Sequence, residues 1–116
     1  MALPTIQSAI PKRRYQYGEF LVTLLTEINS QDNINYLYMM AILTEGSAQP
    51  EAYITCETIK LEEKTSYRVR VLSPQSEQII SESSEWRIEH NFCEFALQGI
   101  QQMFNLKDEK PIVISS

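Results

Sequence analysis

Few residues in this chain are of a type that could do chemistry. There is one histidine, His90, and there are two cysteines, Cys56 and Cys93. His90 and Cys93 lie three residues apart, a spacing that brings two side chains to one surface of a helix. An imidazole beside a thiol is the pairing of a general base with a nucleophile. Cys56 could add a third donor and complete a Cys-Cys-His metal set. Three donors at scattered spacing are a poor zinc signature, however, and lone cysteines are usually small core hydrophobes. The bland reading, with Cys93 in the core and His90 at its rim, is preferred, and no catalytic residue, metal or cofactor is expected. A Ser-His-Asp arrangement would need His90 with Asp32 or Asp108, both in predicted loops. The sequence has no phosphate loop, dinucleotide fingerprint, HExxH or nucleophile elbow.

The second candidate chemistry is electrostatic. Lys12, Arg13 and Arg14 form the only basic run. With Arg68 and Arg70 they could line a sheet face on which Tyr15, Tyr17, Tyr36 and Tyr38 stack bases, as single-strand nucleic-acid binders do. Charge argues against it. Ten Lys and Arg against fifteen Asp and Glu give a net charge of −5. Without the first fourteen residues the balance is 7 minus 15, or −8. An acidic body repels phosphate, so nucleic acid is disfavoured.

These side chains must be positioned by a core, and 116 residues are enough for a single domain with one. The residues 85–104, EWRIEHNFCEFALQGIQQMF, place Ile88, Phe92, Phe95, Ala96, Ile100 and Met103 at intervals of three and four. That spacing predicts an amphipathic helix over 84–105, with a serine cap at Ser83 or Ser84 and a left-handed stop at Asn105. Gly99 on the apolar face suggests that another backbone comes close. Ahead of the helix, period-two and continuous apolar runs predict strands at 14–28, 34–45, 51–60, 66–73 and 77–82. Residues 29–33, NSQDN, and 45–51, EGSAQPE, are turns. The expected fold is α+β, an antiparallel meander of about five strands packed by one C-terminal helix. Residues 1–13, broken by Pro4 and Pro11, are expected as an extended arm. Residues 106–116 form a tail in which Ile112 to Ile114 could add an edge strand or meet a partner.

The strand at 34–45 is apolar on both faces. If the helix covers one, the other keeps Tyr36, Tyr38, Met40 and Ile42, and a second copy of the chain is the simplest cover. The expected function is a small, non-catalytic binding protein that forms a homodimer through that face. The alternatives are the nucleic-acid binder above and a small-ligand carrier or enzyme with a pocket between helix and sheet. There is no signal peptide and no membrane span, and the thiols read as reduced, so a cytoplasmic setting is expected.

Overall fold

In the computed structural model, which describes residues 3–115, the chain is α+β. Seven strands form one antiparallel sheet: β1 Ile6–Tyr17, β2 Phe20–Ser30, β3 Tyr36–Thr44, β4 Ala52–Lys60, β5 Thr65–Leu72, β6 Glu77–Glu82 and β7 Ile112–Ser115. Their order is β6-β5-β4-β3-β2-β1-β7, so six strands meander in sequence and the last returns beside the first. Between β6 and β7 lie a 3-10 turn, Ser84–Arg87, and the helix α1, Glu89–Met103.

The class is as expected, with seven strands in place of five. The single strand expected at 14–28 is two, joined by a tight hairpin at Gly18 and Glu19 that pairs Tyr17 with Phe20. Gly18 has φ +58°, a conformation that favours glycine, and a Cβ there would press on Leu106 Cδ2 at 3.0 Å. The arm expected at 1–13 is ordered strand from Ile6 onward; residues 1 and 2, like residue 116 of the tail, lie outside the described residues. Pro11 is tolerated because β1 is the sheet edge there and its register with β2 shifts between Pro11 and Arg13.

The helix expected over 84–105 is broken at Ile88, which is extended at φ −82°, ψ 116°. The sheet takes the carbonyls that a continuous helix would use: Tyr38 donates its hydroxyl to Arg87 O at 2.7 Å, and Cys56 Sγ lies 3.5 Å from Trp86 O. Ser83 caps the 3-10 turn by accepting from Glu85 N. At the other end Asn105 has φ +55°, and Leu106 N donates to Gln101 O, the wide-loop bond of a Schellman stop.

The main core lies between α1 and five strands. Phe92, Cys93, Ala96 and Ile100 of α1 are buried against Val22, Leu24, Met40, Ile42, Ile54 and Val69. Complete burial of Phe92 and Ile100 alone contributes roughly 3 to 6 kcal/mol. Met103, expected in this core, is 41% exposed and Ile88 50%, because the buried stripe centres on Phe92, Ala96 and Ile100. A second cluster, Tyr36, Met39, Ala41, Tyr53 and Leu72, fills the opposite face, with Leu3, Ile6, Leu25 and Ile28 packed on it. The start of β1 crosses that face, since Leu3, Pro4 and Thr5 line the same cavity as Arg70 and Leu72 of β5. The bend comes from three register shifts between β1 and β2 and from Glu27, held at φ +49°.

Gly99 meets no backbone. A Cβ added there would lie 3.6 Å from Ile54 Cδ1, an ordinary contact. Gly99→Ala is therefore expected to raise unfolding stability in urea by about 0.5 to 1 kcal/mol, the helix propensity difference. A loss of stability would show that α1 sits closer to the sheet than described.

Candidate functional site

The four residues expected to form an intersubunit face are not together. Tyr38, Met40 and Ile42 point at α1; Met40 and Ile42 are fully buried and Tyr38 stacks on Phe92 at 5.5 Å. Tyr36 lies on the opposite face, because a register shift between Tyr36 and Tyr38 reverses the alternation there. All four are thus taken up by the chain's own packing, three against α1 and Tyr36 in the second cluster. The sheet face that the helix leaves is the one carrying Met39, Ala41 and Tyr53.

Nor do the basic residues form a free stripe. Lys12 Nζ lies 2.6 Å from Glu89 Oε1 and Arg13 3.5 Å from Glu89 Oε2. Arg68 faces Glu82 at 3.7 Å, and Arg70 pairs with Glu57 and, at 2.8 Å, with Glu77. Arg14 sits opposite Ser115 on the β1 edge. Tyr15, Tyr17 and Tyr36 are buried, so their rings offer no stacking platform.

Both cysteines are free and buried. Burial pushes the Cys56 thiol up to about 12, aided by Glu57, and the Cys93 thiol up to about 11, aided by Glu89. Neither holds a thiolate near neutral pH. His90 is surface-exposed and lies 3.2 Å from Glu94, one turn along the helix and away from the core that holds Cys93. Among the described residues no group of three His, Cys, Asp or Glu side chains could hold a metal ion.

Of the hollows in the surface, two carry both apolar and polar side chains from packed elements on either face of the sheet. The first, about 420 Å³, opens on the helix-free face between the start of β1 and strand β5, and its polar groups satisfy one another. Arg70 bridges Glu57 and Glu77, Thr55 Oγ1 donates to Glu57 at 2.8 Å, and Tyr36 donates its hydroxyl to Asp32. Burial alone would raise the Asp32 carboxyl, but hydrogen bonds from Ser30, Tyr36 and the Ile34 amide outweigh it and hold the group below its ordinary value. This is a structural network that leaves little unspent for a ligand.

The second hollow is a groove of about 400 Å³ between α1 and the outer strands β5 and β6. Its apolar surface comes from Val71, Ile80, Phe95 and Met103, and its rim from Gln78, Gln98 and Gln102, with Gly99 leaving room at the helix. The walls are braced. β6 is bulged at Ile80, where Ile79 faces Arg70 and Ser81 faces Val69, so Ile80 and Ser81 both turn toward the helix side. Ser81 Oγ then accepts from Trp86 Nε1 at 2.9 Å, and Trp86 stacks on Phe95 at 4.5 Å. A hydrogen bond on the edge strand thereby fixes the aromatic wall of the groove. None of these residues was singled out from the sequence as a site residue. Gln98 and Gln102, one turn apart beside Gly99, were the available signal, and they read as ordinary solvated surface.

Fold and groove together define a single-helix, antiparallel α+β protein with an apolar hollow beside one sheet edge. No protein-family model matches the chain, and comparison with curated proteins and with solved structures returns no similar protein. No helix among the described residues is long and apolar enough to cross a membrane.

The Glu57–Arg70 pair carries a direct test, since both side chains are nearly buried. Glu57→Ala leaves the Arg70 cation with only the half-exposed Glu77 as a partner and is expected to cost about 2 kcal/mol in urea unfolding. The double change Glu57→Met with Arg70→Met is expected to recover more than half of it. Equal losses for the single and double variants would mean that shape, and not charge pairing, is what the site supplies.

Proposed function

We propose that the chain is a small, soluble, non-catalytic binding protein of the cytoplasm, with both thiols reduced, and that the groove between α1 and β6 is its binding site. The observation that carries this reading is the braced apolar hollow itself. The helix that buries Phe92, Ala96 and Ile100 completely leaves Met103 exposed and Phe95 half-covered on this side, over a surface held in place by Ser81 and Trp86. Its volume falls within the usual range of ligand sites. The raised thiols and the solvent-facing histidine weigh against acyl or phosphoryl transfer.

N-Phenyl-1-naphthylamine, a neutral apolar fluorophore, tests the site. Its emission is expected to rise saturably with the protein, and Met103→Asp to weaken uptake about tenfold, because a carboxylate must be desolvated in an apolar hollow. The position is partly exposed but lies at the negative end of α1, so a fall of a few degrees at most in melting temperature is expected. Undiminished uptake by Met103→Asp would remove the groove as the site.

Self-association belongs to the same reading, relocated from the expected sheet face to the β7 edge. Ile112, Val113 and Ile114 are 62%, 53% and 52% exposed on a strand with no charge of its own that, among the described residues, pairs only with β1. Two β7 edges meeting antiparallel form a closed, self-complementary contact. Sedimentation is expected to show a concentration-dependent dimer that Val113→Lys reverts to monomer. A monomer at all concentrations would end the dimer and leave the groove untouched. A nucleic-acid partner is the weaker reading, since Lys12, Arg13, Arg68 and Arg70 are already paired with acids.

A further inference from the structure

We propose that the occupant of the α1–β6 groove is an extended peptide that adds to the sheet as a further strand beyond β6, apolar on its helix side and carrying lysine or arginine at its ends. The inference rests on the groove being the binding site.

The first argument is the backbone. β6 closes one end of the sheet order and, among the described residues, pairs only with β5. Its outer row of amides and carbonyls is a template that only another extended chain can match group for group. The opposite margin differs: β1 carries Pro11, Lys12, Arg13 and three register shifts, and its outer strand β7 is a four-residue edge, the one assigned above to self-association. β6 has neither proline nor lysine, and its residues Glu77, Gln78, Ile79 and Glu82 are exposed.

The second argument is where the side chains would go. An added strand lies about 4.8 Å beyond β6 with every second side chain on the helix side. Those side chains enter the hollow bounded by Ile80, Phe95 and Met103, while Gln98 and Gln102 present amides along its upper edge. A compact small molecule would leave the strand edge unmatched.

Charge selects the partner. From Glu77 to Glu82 and from Glu89 to Met103 there is no lysine or arginine, and the turn between them carries one, the exposed Arg87. Glu77, Glu82 and Glu89 are paired with Arg70, Arg68 and Lys12 on other faces. A shallower hollow that shares Phe95 and Gln98 with the groove is lined by Glu85 and Glu94, and among the described residues neither lies in an ion pair with a lysine or arginine. The net −5 of the chain adds a long-range pull on cations. A cationic end on the peptide meets Glu85 and Glu94.

The probe is a fluorescein-labelled peptide of alternating valine and threonine with two lysines at each end, titrated with the full-length protein and read by anisotropy. Saturable binding is expected, weakened about tenfold when the lysines become glutamates and severalfold by Glu85→Gln with Glu94→Gln, both surface changes. N-methylating alternate amides is expected to abolish binding in one register and leave it intact in the other, the signature of a strand bonded along one edge. Equal binding of both N-methylated peptides overturns strand addition. Equal binding of lysine- and glutamate-ended peptides overturns the cationic partner. Failure of every peptide while N-phenyl-1-naphthylamine still enters the groove and Met103→Asp still blocks it overturns the peptide and keeps the site. Concentration-dependent self-association that Glu85→Gln with Glu94→Gln abolishes would make a second copy the occupant, and also overturns it.

Discussion

One helix cannot cover seven strands. An α-helix is about 10 Å wide and strands are spaced about 4.8 Å apart, so α1 spans the width of two or three of them. Yet β3 is buried on both faces from Met39 to Ile42 and β4 from Ala52 to Glu57. The remainder of the apolar surface must be hidden by the sheet itself, and most of the architecture follows from how this is done. The first hairpin is long, bends at its register shifts and at Glu27, and lays Leu3, Ile6, Leu25 and Ile28 over Met39, Ala41 and Tyr53. Aromatic contacts then set where α1 lies: Phe104 packs on Phe20 at 4.3 Å and Phe92 on Tyr38. That placement serves β1 to β4 and leaves β5 and β6 only partly covered. The groove is the geometric remainder of a narrow cover on a wide sheet.

The break at Ile88 has the same origin. A continuous helix from Ser84 would direct Trp86 by helical periodicity, whereas a 3-10 turn followed by one extended residue buries the indole against β5 and β6. The local cost is a lost stretch of helical hydrogen bonding, offset by Tyr38 and Cys56 reaching the freed carbonyls. Trp86 then joins Ser81 to Phe95, so the edge strand and the helix hold the groove at a fixed width.

Much of this was legible in the sequence, and what was not has physical causes. The strands expected at 34–45, 51–60, 66–73 and 77–82 lie within two residues of β3 to β6, because turn formers bound each apolar run. Asn105 ends the helix as its tolerance of left-handed backbone implies. The hairpin at Gly18 was hidden because its turn is only two residues long, and the change of inward residues from Tyr15 and Tyr17 to Phe20, Val22 and Leu24 reads equally as a bulge in one strand. The choice of face was beyond local reading. β3 is apolar on both sides, so nothing in Tyr38, Met40 and Ile42 says which side the helix takes, and the reversal at Leu37 depends on pairing with Cys56 and Glu57. The network of Glu57 and Arg70 was equally hidden: thirteen residues apart, they are neighbours only through the β4–β5 register.

The two sheet margins finish the argument because they are treated so differently. An open strand edge invites uncontrolled pairing, and proteins usually blunt it with proline, lysine, bulges or a covering segment. The β1 margin has all four devices, in Pro11, Lys12, the shifts against β2 and β7. The β6 margin has one, the bulge at Ile80, and that bulge also turns Ile80 and Ser81 toward the helix to build the groove wall. Glu77 and Glu82 are already paired with Arg70 and Arg68, so the charge left beside that edge is that of Glu85 and Glu94, which favours a basic strand over an acidic one. The β6 edge thus lies open beside a hollow of fixed width, while at the other end the open strand is the four-residue β7.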